Sequence, residues 1–121
     1  MRATSMFIKE VDSPTLVSKM EENDDMVSID VREMPEFSRG TIQGAIAMPM
    51  ATVPVRLNEI PKDKEVVFIC RSGARSGQVC MFLGQHGYDN VINLRGGMIG
   101  WVRSGYEPVL PEQVSNVYYG N

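Results

Sequence analysis

The chain has 121 residues, a formal net charge of −3 and 22% charged residues, which suits one domain with a single core and no need of staples. No basic stripe points to nucleic acid, and no apolar run approaches the roughly 20 residues of a membrane span. The two cysteines, Cys70 and Cys80, do not make a disulfide framework, and with one histidine there is no zinc ligand set.

In chain order, Met6 to Val11 reads as a short first strand. Ser13-Pro14 is an N-cap followed by proline at the first helical position, and Leu16, Val17 and Met20 give the inward side of a helix ending near Asn23. Met26 to Asp30 is a second strand, and Met34 to Arg39 fits a helical turn or short helix. Ala45 to Met48 makes a short strand, and Val53 to Ile60 a helix closed by Pro61. Val66 to Ile69 is a β-branched apolar run that reads as a strand buried on both faces, as in a parallel sheet. A helix beginning between Ser72 and Ser76 would turn Val79, Phe82, Leu83 and His86 inward, with His86 a structural residue near its end. Gly87 is placed to close that helix in the left-handed conformation, with Tyr88 packing back onto the last turn. Val91 to Leu94 is the last strand, and Gly97 to Ser104 a final helix carrying Met98 and Trp101. From Tyr106 onward, with Pro108, Pro111, Tyr118 and Tyr119, the chain reads as a tail that wraps over the domain or frays. Strands alternating with helices at this spacing predict an α/β fold with a mostly parallel sheet of four to five strands. The expected organisation is a single domain over 1–121, with a core of about 5–108 and a tail at 109–121. The N-terminus carries one Arg but neither an apolar stretch nor a cleavage site, so no signal peptide and a cytoplasmic location are expected.

The chemistry gathers where the central strand ends. Cys70 is followed by Arg71, Ser72, Gly73, Ala74, Arg75 and Ser76, a strand–loop–helix turn at the carboxyl end of a strand. Loop amides, the start of a helix and two permanent positive charges would lower a thiol from about 8.5 to somewhere in roughly 3.5–7.5. The same groups would bind a small anion. A thiolate in an anion-binding cup suggests a nucleophile toward small anionic substrates. Cys80, within the helix, reads as a core residue; a resolving-thiol role is the alternative, at a spacing of about 15 Å along a helix.

Cys70-Arg71-Ser72-Gly73-Ala74-Arg75-Ser76 resembles the active loop of the rhodanese (thiosulfate:cyanide sulfurtransferase) family. Ser28-Ile29-Asp30-Val31-Arg32-Glu33 followed by Glu36-Phe37 resembles that family's Asp-Val-Arg segment. Gly40-Thr41-Ile42-Gln43-Gly44-Ala45-Ile46-Ala47-Met48-Pro49 is similar to its Gly-His-Ile-x-Gly-Ala-x-Asn-x-Pro signature, with Thr41 in place of His and Met48 in place of Asn. Asn93-Leu94-Arg95-Gly96-Gly97, with Trp101 beyond, resembles its closing Gly-Gly…Trp segment. Four motifs in the family's order cover roughly residues 5 to 108.

The resemblance implies a rhodanese-like fold, with helices on both faces of the sheet, and a two-step sulfur transfer. Cys70 would take sulfane sulfur from thiosulfate or a polysulfide as a persulfide, then yield it to cyanide, a small thiol or a protein acceptor. Arg71 and Arg75 would suit the donor's oxyanion, and the loop amides the persulfide. Asp30 and Arg32 would sit beside the loop, the Asp orienting it and the Arg helping to bind the anion; a plain ion pair is the other reading. No metal or organic cofactor is implied, and no nucleic-acid or membrane partner. Three other readings remain at this point: a phosphatase or arsenate reductase, a catalytically silent binding module, and a redox or persulfide-carrier protein using Cys80 as a resolving thiol. Cysteine phosphatases wrap phosphate with Cys-x5-Arg, which from Cys70 falls on Ser76, one residue past Arg75.

Overall fold

The computed structural model describes residues 7–23 and 25–111. Its strands are β1 (Lys9–Val11), β2 (Val27–Asp30), β3 (Ile46–Ala47), β4 (Val66–Ile69) and β5 (Val91–Leu94), in the sheet order β1-β5-β4-β2-β3. Every pairing among them is parallel. Parallel neighbours need crossovers; α1 (Ser13–Glu22), α2 (Met34–Arg39) and α3 (Ala74–Gln85) lie in three of the connections and 3₁₀ turns in the one from β3 to β4, while α4 (Gly97–Arg103) follows the last strand. Among the described residues no helix is long and apolar enough to cross a membrane.

The period-2 geometry of β4 divides the core into two layers. Val66 and Phe68, and Cys70 just beyond the strand, face Val79, Cys80 and Leu83 of α3, while Val67 and Ile69 face Leu16 of α1 and Met98 and Trp101 of α4. All four β4 residues are fully buried, which is why the run shows no polar alternation. β4 leads through α3 toward β5, whereas β2 leads through α2 toward β3 on the opposite side. The loops after β4 and β2 therefore diverge and leave a crevice at the carboxyl edge of the sheet, the usual ligand position of open α/β folds.

Several local signals resolve differently from the sequence reading. The cap of α1 is Asp12, whose Oδ1 accepts from the Thr15 amide at 3.0 Å; Ser13 is already helical. The expected helix from Val53 to Ile60 is instead two 3₁₀ segments, Met50–Val55 and Leu57–Glu59. Because the first turn starts at Met50, Pro54 falls inside it and cannot donate an i→i−4 bond, so the chain keeps i→i−3 closures such as Arg56 N to Val53 O. His86 is exposed rather than inward. It occupies the C-cap of α3, where the backbone has left the helix, and its ring lies 4.2 Å from that of Phe82. Gly87 and Tyr88 behave as expected: Gly87 N donates to Gly84 O, Tyr88 N donates to Leu83 O, and the Tyr88 ring is buried.

The start of the tail is bound to the domain. Thr41 and Val109 exchange both backbone hydrogen bonds at 2.8 Å, so residues 106–111 pass over the loop that follows α2. Met6 and residues 112–121, with the tail tyrosines, lie outside the described residues.

Gly97 is the tightest of the described glycines. Its φ is +57°, and a Cβ there would meet Cys70 O at 2.4 Å and Arg71 O at 2.6 Å. That closeness lets Met98 N donate to Cys70 O at 2.9 Å and Ile99 N to Arg71 O at 3.0 Å. Gly97→Ala should therefore lower the unfolding free energy by about 2 kcal/mol or more in urea titration. A loss below about 0.5 kcal/mol would mean that the α4–loop contact yields without cost.

Candidate active site

The end of β4 delivers Cys70, and the chain must turn sharply to start α3 four residues later. Gly73 makes the turn at φ +99°, packed so closely that a Cβ would stand 3.1 Å from Gly96 N and 3.3 Å from Leu94 O. The turn aims its donors at sulfur. Cys70 Sγ accepts from Gly73 N at 3.1 Å and Ser76 N at 3.4 Å, and Ser76 Oγ lies 3.3 Å away with its single proton shared between Cys70 Sγ and Asn93 Oδ1. Burial of Cys70 is the largest influence on its thiol and pushes it up; the Ser76 hydroxyl and the amides of Ser76, Gly73 and Ser72 together outweigh it and hold the thiol below its ordinary value.

The arginines of the loop differ from one another. Arg75 makes a two-pronged ion pair with Glu36 at 3.0 and 3.1 Å, tying the first turn of α3 to α2. That bond holds Glu36 down at about 2 and raises Arg75. Arg71 has no ion pair among the described residues and is exposed. Ser72 and Ala74 are exposed on the loop, whereas Ser76 is fully buried behind it.

Asp30 and Arg32 do form an ion pair, and it is buried. Asp30 accepts from Arg32 Nη2 at 2.7 Å, from Arg32 Nε and from the Arg32 amide at 3.0 Å. Arg32 Nη2 also donates to Gly40 O at 2.6 Å. Thr41, one of the departures noted in the sequence, supplies the remaining donor: its hydroxyl reaches Asp30 Oδ2 at 2.7 Å. Met48, the other departure, is core filling against the same layer as Ile29 and Val53.

Two residues of the site were missed by sequence reasoning. Asn93 of β5 donates from Nδ2 to Glu10 Oε2 at 2.8 Å and to Gly73 O at 3.1 Å, and its Oδ1 accepts from Ser76 Oγ at 2.5 Å. It therefore grips the middle and the end of the loop, with Glu10 setting its orientation. The available signal was an amide inside the apolar run Val91-Ile92-Asn93-Leu94, which a buried strand does not accept without partners. Cys80 is buried, and burial, then the charges of Glu10 and Cys70, push its thiol up to about 12. It stays protonated as a core residue.

Beside the loop lies a cleft of about 510 Å³ lined by Arg32, Glu36, Arg39, Arg71, Met98 and Val102 among others. It occupies the crevice between the loops after β2 and β4. Among the described residues no group of three His, Cys, Asp or Glu side chains is set to hold a metal ion.

The profile of the Rhodanese-like domain family matches residues 13–104. A sulfurtransferase of Allochromatium vinosum is 46% identical over 105 residues, covering 87% of this chain and 98% of its own. A thiosulfate sulfurtransferase of Glaesserella parasuis, GlpE, is 33% identical, covering 76% of this chain and 85% of its own. A rhodanese-like domain protein of Staphylococcus aureus superposes with a TM-score of 0.77 at 31% identity, covering 87% of this chain and all of that one.

Two measurements check the electrostatics. The pH profile of Cys70 alkylation should have its midpoint below that of an unperturbed thiol, and Ser76→Ala should raise it; an unmoved midpoint would remove Ser76 from the account. Glu36, depressed from 4.5 to about 2, contributes stability that is present above 4.5 and is lost as pH falls toward 2. The stability gap between wild type and Glu36→Gln should therefore close across that window in acid-denaturation curves, whereas a pH-independent gap would assign the effect to packing.

Proposed function

The chain belongs to the rhodanese-like domain family, and on that premise we propose that it is a sulfurtransferase carrying sulfane sulfur on Cys70. The observation that carries the reading is the buried sulfur held below the ordinary thiol value by Gly73 and Ser76 donors. A thiolate so placed needs no general base, which fits a loop without histidine.

In the first step Cys70 thiolate attacks the outer sulfur of thiosulfate. A bond forms between the two sulfurs, the donor's S–S bond breaks, and sulfite leaves with the electron pair. A polysulfide reacts in the same way and leaves one sulfur shorter. In the second step cyanide or a thiolate attacks the outer sulfur of the persulfide, and the bonding pair returns to Cys70 Sγ. Thiocyanate or an acceptor persulfide departs, and the thiolate is restored.

Residue roles follow from the pairing of charges. Arg71, without an ion pair among the described residues and on the cleft wall, is the cation for the donor's oxyanion. Arg75 braces the loop through Glu36. Asp30 and Arg32 fix the neighbouring strand end, with Arg32 turned to the cleft. The loop amides serve the persulfide as they serve the thiolate. The phosphatase alternative is disfavoured because the position that would hold its arginine is Ser76, buried between Cys70 Sγ and Asn93 Oδ1.

Intact mass after incubation with thiosulfate or polysulfide, then after cyanide, tests the proposal. Wild type should gain one sulfur atom and lose it to cyanide, and Cys70→Ser should gain none. No gain from either donor would leave the binding-module reading in its place.

A further inference from the structure

The cleft beside the loop is far larger than a compact inorganic donor requires. Its volume of about 510 Å³ lies within the roughly 300–1,000 Å³ of sites that hold organic ligands. Its charges are also unevenly matched. Arg32 and Glu36 are neutralised by Asp30 and Arg75. Arg39, Arg71 and Arg103 line the same hollow, their guanidinium groups making no hydrogen bond or ion pair among the described residues. They come from three separate elements: the end of α2, the first residue after Cys70 and the end of α4. A helix dipole accounts for a cation at the end of α2 or α4, but not for both opening onto the hollow that Arg71 enters. Between the arginines the wall is apolar, formed by Met98, Ile99 and the half-exposed Val102. Three uncompensated cations in a chain of formal net charge −3 are a local field that selects anions.

We propose that this cleft is the acceptor subsite for a small organic thiol carrying two or more negative charges, its anionic groups on Arg39 and Arg103 and its carbon stem on Met98, Ile99 and Val102. The proposal rests on the sulfurtransferase reading and deepens it by naming the acceptor class. Transfer follows the second step above: the acceptor thiolate attacks the outer sulfur, the Cys70 S–S bond breaks, and the pair returns to Cys70.

The test loads Cys70 with sulfur from polysulfide and follows its removal in a single turnover. The acceptors are 2-mercaptoethanol, 3-mercaptopropionate and mercaptosuccinate, with rates corrected for each thiol's ionisation and nucleophilicity. The rate constant should rise with acceptor charge, to about tenfold for mercaptosuccinate over the neutral thiol at low salt, and the ratio should shrink as salt is raised. In Arg39→Gln/Arg103→Gln the ratio should fall toward one. A second readout is direct binding of S-methyl mercaptosuccinate to the Cys70→Ser protein by titration calorimetry, weakened in the same double variant. Equal corrected rates for all three thiols, or a ratio that the double variant leaves unchanged, would overturn the acceptor subsite. Binding of the thioether by Cys70→Ser protein, together with no sulfur uptake by wild type, would sink the sulfur-transfer reading and leave the anion cleft standing.

Discussion

A thiol buried to 1% exposure is held below its ordinary value only if fixed donors replace the water it has lost. Here those donors are the Gly73 amide and the Ser76 amide and hydroxyl, and much of the surrounding structure serves to hold them in place. Asn93 grips Gly73 O and Ser76 Oγ from β5. Met98 and Ile99 of α4 satisfy the carbonyls of Cys70 and Arg71, which requires the bare backbone of Gly97 against the loop. Arg75 and Glu36 fasten the start of α3 to α2. Residues from three separate elements thus converge on one seven-residue turn. Each removes freedom that would otherwise let the donors relax away from sulfur.

The buried Asp30–Arg32 pair applies the same logic at the neighbouring strand end. Taking two charges out of water costs several kcal/mol per ion, so a pair of this kind is retained only with its remaining lone pairs and protons satisfied. Thr41, the Arg32 amide and Gly40 O meet that condition. The result links the end of β2 to the loop after α2, and through the Thr41–Val109 bridge to the chain beyond α4. The segment that carries Pro108 into the cleft wall is therefore anchored to the same buried carboxylate.

What was legible in the sequence was local. The β-branched run before Cys70 announced a doubly buried strand, and Gly87-Tyr88 a helix end, because each signal reports the conformation of its own few residues. The loop was readable because its donors are backbone groups of the motif itself. Asp12 was passed over for Ser13 because both are good caps and only the extended backbone at Asp12 decides between them. His86 fitted a helical stripe until the backbone left the helix one residue earlier. The pairings hardest to foresee join distant positions: Glu36 with Arg75, 39 residues apart, and Glu10 with Asn93, 83 apart. No local periodicity encodes them. Arg71 and Arg75 looked alike in sequence, yet one is bound to a carboxylate and the other is open to the cleft.

That difference separates chemistry from selectivity. Two of the charges around the loop are paired, Arg75 with Glu36 and Arg32 with Asp30, and their geometry is fixed by two or more hydrogen bonds each. A substitution among them leaves a partner unsatisfied and disturbs the loop. Arg39, Arg71 and Arg103 have no such obligations within the described fold and line the space where a second molecule would stand. Arg39 and Arg103 can vary without disturbing the sulfur's donors, because those are backbone groups and a buried serine. A topological crevice supplies the room, since the loops after β2 and β4 run in opposite directions along the sheet edge. On the proposed reading, surface arginines choose the acceptor while the core holds the sulfur's donors in place.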